Sequence, residues 1–317
     1  MATPAQITGI HHVTAIAGRA AENLEFYTGA LGLRLVKKSV NQDDPGTYHL
    51  FYADAEGTPG TDVTFFPWES MGPGRKGTGL TVELALAVPP GSLDFWRARL
   101  TELSVKVGAL EERFGESALP LTDPHGLELA LVETGDAREF APWERSPVSA
   151  HLQIQGLHGV RLWEADGERT EVFLTGVLGF GLVGEESGWR RYSLREGGSG
   201  RLLELKERPD ARRGTWGRGS VHHVAWRVPD EAVQREVQSR VADAGLRPTP
   251  VIDRFWFRSV YFREPGGALF EVATDGPGFA VDEDPSALGE RLVLPPWLEP
   301  QRDRIEAVLP ALEPARA

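Results

Sequence analysis

The sequence contains no cysteine. Disulfides, thiolate metal sites and a cysteine nucleophile are therefore excluded, and any transition-metal site must draw on His, Asp or Glu. It also lacks any apolar run near the ~18 residues of a membrane span. Basic charge is in deficit: 34 Lys and Arg stand against 46 Asp and Glu, a formal charge of −12. A field of that sign argues against nucleic acid or an anionic membrane as partner. The opening MATPAQITGIHHV has neither a basic leader nor an apolar stretch behind it, so the expectation is a cytoplasmic protein without a targeting segment. What remains is an ordinary globular composition: 317 residues, 41% hydrophobic and 25% charged. That is enough chain for about two domains, each with an ample core.

The chain repeats itself. Residues 26–36 read FYTGALGLRLV and residues 173–183 read FLTGVLGFGLV, seven of eleven identical at an offset of 147. The same offset carries GIHHV (9–13) onto GLHGV (156–160). A second comparison works inside each half: ELALAVP (83–89) falls on HVAWRVP (223–229), and DPHGLELALV (123–132) on EPGGALFEVA (264–273), at offsets of 140 and 141. Each half thus holds two modules, placed at 7–68 and 79–134, then at 154–207 and 219–275.

Every module reads as strand, helix, then several strands. GIHHVTAI alternates and carries β-branched residues, which predicts a strand. Leu24, Tyr27 and Leu31 then mark a helix, with Gly32 just past its end where a left-handed cap is wanted. Ser92 is the expected N-cap of a second helix striped by Leu93, Trp96, Leu100 and Leu103. Val233, Val237 and Val241 stripe another, ended by Gly245. The expected fold class is α+β, with four βαβββ modules forming two half-barrel pairs, because one half-open sheet cannot bury its own face. The expected division is an N-terminal domain 1–134, a linker 135–153, a C-terminal domain 154–275 and an extension 276–317 packed as a strap. Open sheet edges make a homo-oligomer a further expectation.

Four of the eight histidines form two adjacent pairs, His11-His12 and His222-His223. Composition alone gives about 0.2 such pairs. Both pairs fall on the first strand of a module, at matching positions. Strand side chains alternate faces, so one His of each pair points into the cavity and its neighbour away, unless the strand bends. Two imidazoles and one carboxylate with open positions suit non-haem Fe(II). The carboxylate candidate is Glu271 in ALFEVAT, whose apolar neighbours make an unpaired charge costly to bury. In the sister modules His12 becomes Gly159, His223 becomes Glu83 and Glu271 becomes Ala130. One metal per chain is therefore expected, between the first and fourth modules. The first module's counterpart of Glu271 falls near Thr64, which is no strong ligand. His49 is a candidate for the cavity border, while His125, His151 and His158 read as ordinary strand or turn residues.

At these residues the sequence resembles a ring-cleaving dioxygenase of the vicinal oxygen chelate (glyoxalase-like) superfamily, in its hydroquinone dioxygenase branch. The segments that carry the resemblance are GIHHVTAI, FYTGALGLRLVKKSVNQDDPGTYHLFYAD, GTPGTDVTFFPW, GSVHHVAWRV, DRFWFRSVYFREPGGALFEVATDGPGF and LPPWLEPQR. The resemblance implies Fe(II), or Mn(II) as in some members, with O2 as co-substrate and a small aromatic substrate. It implies His12, His223 and Glu271 as metal ligands. His11, His222, Arg254 and Tyr261 become catalytic candidates, and Thr14 a substrate contact. The aromatics Phe255, Trp256, Phe257, Phe65 and Trp226 are candidates for a flat pocket wall, with Phe257 and Trp226 taken as substrate-binding. One extradiol branch draws its first His from the third module, where this chain has Gly159; that favours the hydroquinone branch. Two rivals stand beside this reading. One is a glyoxalase-type Zn(II) or Ni(II) isomerase or lyase, which needs a fourth protein ligand. The other is a non-catalytic aromatic-binding protein of the same fold.

Overall fold

Alternating apolar strands and short amphipathic helices assemble as the repeat pattern dictates. The structure, a computed structural model, describes residues 7–136, 138–195 and 197–312. The first module comprises β1 (Gly9–Ala17), α1 (Ala20–Leu24), β2 (Arg34–Asn41), β3 (Asp44–Ala53) and β4 (Asp62–Pro67). The second comprises β5 (Leu80–Val88), α2 (Leu93–Glu102), β6 (Lys106–Val107), β7 (Glu111–Arg113), β8 (Glu116–Thr122) and β9 (Glu128–Glu133). The third holds β10 (Gly156–Glu164), α3 (Gly167–Phe173), β11 (Phe180–Glu186), β12 (Trp189–Leu194) and β13 (Leu202–Glu207). The fourth holds β14 (Val221–Val228), α4 (Glu231–Asp243), β15 (Ile252–Asp253), β16 (Arg258–Arg263) and β17 (Leu269–Thr274).

The repeated FxTGxLG phrase gives the same local structure twice. Beyond α1 and α3 the helix widens over Glu25–Ala30 and Leu174–Leu178 into a π-helical turn, closed by a bond from Leu31 N to Phe26 O at 3.0 Å in the first. Gly32 and Gly179 follow at φ 75° and 83°, a left-handed conformation that glycine adopts without steric cost. In α2 the stripe is shorter than expected. Leu93, Trp96 and Leu100 are buried, but Leu103 is 48% exposed because the helix ends before it. Ser92 makes no cap bond either; its hydroxyl donates to Pro89 O, and Glu133 receives the Leu93 N–H instead.

Two sheets result. The first runs β15-β16-β17-β14-β1-β4-β3-β2 and the second β11-β12-β13-β10-β5-β9-β8-β6. Module one thus shares a sheet with module four, and module two with module three. The halves 1–134 and 154–275 divide the sequence but not the sheets. A lone module exposes its first strand as an open edge; joining two first strands antiparallel closes both edges together. The sheets meet by symmetric contacts, Ile10 N to Gly200 O at 2.8 Å and Leu157 N to Gly60 O at 2.9 Å. Beyond residue 276 the chain lies along β2, with Val293 N bonded to Lys38 O at 2.9 Å. Arg34 donates to the carbonyls of Pro285, Ser286 and Leu288. Lys37, fully buried, reaches Phe279 O, Asp282 and Glu283, so its charge is compensated where it could not be left alone. Among the described residues no helix is long and apolar enough to cross a membrane.

Candidate metal centre

The centre is built where β1 meets β14. Both strands carry a bulge there: register slips between Ile10 and His12 on one strand, and across His222 on the other. The extra residues are His11 and His222. A bulge breaks simple alternation and re-aims the side chains around it. As a result His12 and His223 face each other across the strand pair, with Nε2 atoms 3.3 Å apart. The displaced neighbours lie behind them. His11 Nδ1 is 2.9 Å from His12 Nδ1, and His222 Nδ1 is 2.8 Å from His223 Nδ1. Glu271 arrives from β17, paired with Ala225 of β14 on one side and Tyr261 of β16 on the other.

Glu271 Oε2 lies 3.4 Å from His12 Nε2 and 2.9 Å from His223 Nε2. The three residues form a metal-competent cluster, all buried. Divalent ions bind imidazole and carboxylate at about 2.0–2.2 Å, so a single ion can touch all three corners of a triangle with these edges. The carboxylate fits that use. Ser259 donates to its Oε1, while its buried Oε2 has no hydrogen-bond partner. Burial alone would push the Glu271 carboxyl up, but His12 and His223 outweigh it and hold it well below its ordinary value. Burial keeps His223 below the usual imidazole range despite Glu271. Both elements of a ligand set are thus present: an ionised carboxylate and imidazole nitrogens aimed at one point.

The cavity above this floor is lined by His12, His223, His49, Phe66, Trp256, Phe257, Arg254 and Tyr261, with Asn41, Gln42 and Asp43 from the β2–β3 turn. Arg254 pairs with Asp43 at 2.8 Å and lies 5.4 Å from the Tyr261 ring centroid. Burial, then the Glu271 charge, raises the Tyr261 phenol above its usual value, so it remains a donor. Thr14 is fully buried against the ligands, 2.9 Å from His223 Nε2. Phe257 packs against both His11 and His12, with centroids 5.3 and 5.1 Å away.

Several expected wall residues lie elsewhere. Trp226 is fully buried, but against Phe180 and Phe270 in the core on the other side of the sheet; three residues from His223 on a strand is the opposite face. Phe65 is turned to Tyr27 for the same reason, and Phe66 takes the cavity side. Phe255 packs on Trp256 and Trp297. His11 and His222 do not line the cavity; His222 stacks on Trp216 with centroids 4.3 Å apart. Burial holds both imidazoles at about 3, neutral at ordinary pH. Sequence reasoning missed Ser259 and the 41–43 turn. Ser259 sits two residues before Tyr261, hence on the same face of β16, which was the available signal. The turn gave none.

Residues 9–131 and 156–272 each match the family described as Glyoxalase/Bleomycin resistance protein/Dioxygenase superfamily. The chain is 44% identical over 298 residues to MhqO of Bacillus subtilis (strain 168), which carries the provisional name of a ring-cleaving dioxygenase; 94% of each chain is covered. It is 32% identical over 313 residues to a chlorohydroquinone/hydroquinone 1,2-dioxygenase of Sphingobium indicum, covering 96% of this chain and 97% of that one. A crystal structure from Bacillus subtilis, of a protein provisionally described as a dioxygenase, superposes with a TM-score of 0.91 at 43% identity, covering 98% of this chain and 99% of that chain.

Proposed function

The chain belongs to the glyoxalase/bleomycin resistance protein/dioxygenase superfamily, and from that premise we propose that it is an Fe(II)-dependent dioxygenase. Its substrate would be a dihydroxybenzene, a substituted hydroquinone by preference. The observation that carries this reading is the buried triangle of His12, His223 and Glu271, with Glu271 Oε2 aimed at the two Nε2 atoms from 3.4 and 2.9 Å. When bound there, Fe(II), or Mn(II) in the same set, supplies the acidity that makes a phenol ionise and the redox path between ring and O2.

The chain's own residues do the rest. A ligand imidazole that offers Nε2 to an ion carries its proton on Nδ1. His11 and His222 stand at hydrogen-bond distance from those two Nδ1 atoms, and as neutral imidazoles they accept. Each His-His pair is thus a ligand with its own tautomer lock, an arrangement that fixes ring orientation. We assign His11 and His222 that orienting part rather than proton transfer to substrate. Arg254 and Tyr261 present a cation and a phenol O–H to the cavity, suited to holding negative charge on substrate oxygen. Phe66, Trp256 and Phe257 supply flat apolar wall. The cleft has a volume of about 30 Å³, against roughly 150 Å³ in an engineered cavity that binds benzene. A ring therefore needs more room than the cleft offers as it stands, and the Asp43–Arg254 pair is part of its lining.

The test is anaerobic reconstitution with ferrous or manganous ion, followed by plain and substituted hydroquinones at an oxygen electrode. Oxygen uptake with ring-opened product is expected. No uptake across the panel removes the dioxygenase reading. Turnover of a thiol-adduct substrate without oxygen would establish the isomerase instead.

A further inference from the structure

A chain of hydrogen bonds leaves the metal-ligating floor and ends on His49. His223 Nε2 is 2.9 Å from Thr14 Oγ1, Thr14 Oγ1 is 2.7 Å from Thr64 Oγ1, and Thr64 Oγ1 is 2.9 Å from His49 Nε2. We propose that His49 recognises the second hydroxyl of the substrate and, through Thr64 and Thr14, directs a chain of donors toward the reacting oxygen. This rests on the dioxygenase reading and deepens it.

The direction of the chain follows from valence. His223 would hold an ion through the Nε2 lone pair, which would leave the ring proton on Nδ1 beside His222. Nε2 then neither donates nor accepts, and the Thr14 hydroxyl is released. Thr14 would then be free to donate to a negatively charged substrate oxygen beside the ligands. It accepts in turn from Thr64, and Thr64 accepts from His49 Nε2–H. Burial, with His12 and His223 close by, holds His49 well below the usual imidazole range, so the ring is neutral. A neutral imidazole protonated at Nε2 has its lone pair at Nδ1. That atom meets no protein group among the described residues and is not sealed in the core, and His49 lines the cavity between Phe51 and Phe66. It is an acceptor waiting for an O–H donor. The two hydroxyls of a hydroquinone lie at opposite ends of the ring, so one can stand at the ligands while the other reaches a wall. A catechol puts both at one end, and a 4-methoxyphenol lacks the donor.

The experiment uses full-length protein loaded with redox-inert Zn(II), titrated without oxygen with hydroquinone and 4-methoxyphenol, and read by tryptophan fluorescence. One neutral hydrogen bond predicts about tenfold preference for hydroquinone. His49→Phe should abolish the preference by weakening hydroquinone alone. Thr64→Val, which leaves the cavity edge intact but frees the His49 tautomer, should reduce it to about threefold. A packing role for His49 would weaken both ligands alike in His49→Phe and neither in Thr64→Val. Either that pattern or no preference in the wild type overturns the proposal. Failure here with oxygen uptake intact leaves the dioxygenase reading standing. The expected preference without any oxygen uptake by the iron form removes that reading and keeps the recognition.

Discussion

Both cups are built round two bulged first strands. In the first sheet the displaced residues are His11 and His222, and in the second, at matching positions, His158 and Val82. The backbones agree, but the floors do not. In the first sheet two imidazoles and one carboxylate converge, and Thr14 and Thr64 add only hydroxyls. In the second, Gly159, Glu83 and Ala130 stand at the ligand positions, and Glu204 takes the place of Thr64. Three arginines fill that cup. Arg113 pairs with Glu83 and Glu111, Arg161 with Glu204 at 2.6 Å, and Arg191 with Glu204 at 2.6 Å and with Glu116. Arg161 sits where the first cup has Thr14. A floor of buried carboxylates needs a cation. Among the described residues the first cup has no Lys or Arg against its carboxylate, whereas the second carries guanidinium groups of its own chain. The space left in the second cup is about 10 Å³, against about 30 Å³ in the first.

The largest effect should come from breaking the first cup. His12→Ala, His223→Ala and Glu271→Ala should each lower ferrous-ion affinity by roughly a thousandfold or more, beyond the 10–100-fold typical of changes to groups that only orient a ligand. Iron content after anaerobic desalting measures this, and stoichiometric iron in any variant shows that ligand to be misassigned. Breaking the second cup should act on stability alone. Arg113→Ala leaves the buried Glu83 carboxylate only Arg161, 3.7 Å away, and should cost up to about 3–5 kcal/mol in urea unfolding, with iron content unchanged. A cost below about 1 kcal/mol would mean that solvent or Arg161 already compensates Glu83.

A smaller effect belongs to the seam between the cups. Glu164, at the end of β10, and Glu264, in the turn before β17, are both buried. Burial, then Glu264, pushes the Glu164 carboxyl from 4.5 up to about 9. The folded protein thus holds a proton that the unfolded chain loses. The stabilisation is complete below the unfolded value and drains away as pH rises toward 9. Melting temperature should fall by a few degrees between pH 6 and 9, and Glu164→Gln should flatten the slope. An equal slope in the variant would place the titration elsewhere. The smallest effect is at the rim of the first cup. Asp43 is 74% exposed in its pair with Arg254, and such pairs are weak. Asp43→Asn should speed hydroquinone association by no more than about threefold in stopped flow; slower association would show that the pair shapes the entrance rather than closing it.

Much of this was legible in residue order. The repeat placed every module, and the transfer of His12, His223 and Glu271 onto Gly159, Glu83 and Ala130 marked one cup as competent. Trp226, an expected substrate contact, lies on the far face, where alternation from His223 puts it. The parts of His11 and His222 could not be read, since a bulge is invisible until the partner strand's register is known. The arginine cup was equally hidden, because Arg113, Arg161 and Arg191 come from three different strands.

The sequence by itself determined the modules, their strands and the identity of side chains able to hold an ion. Those are local properties, fixed by period and by the chemistry of each residue. Tertiary structure decided which modules share a sheet, where each pair slips by one residue, and which charges meet. These depend on hydrogen bonds between strands about 70 residues apart in one sheet and more than two hundred in the other, and no local pattern encodes a register that only the distant partner supplies.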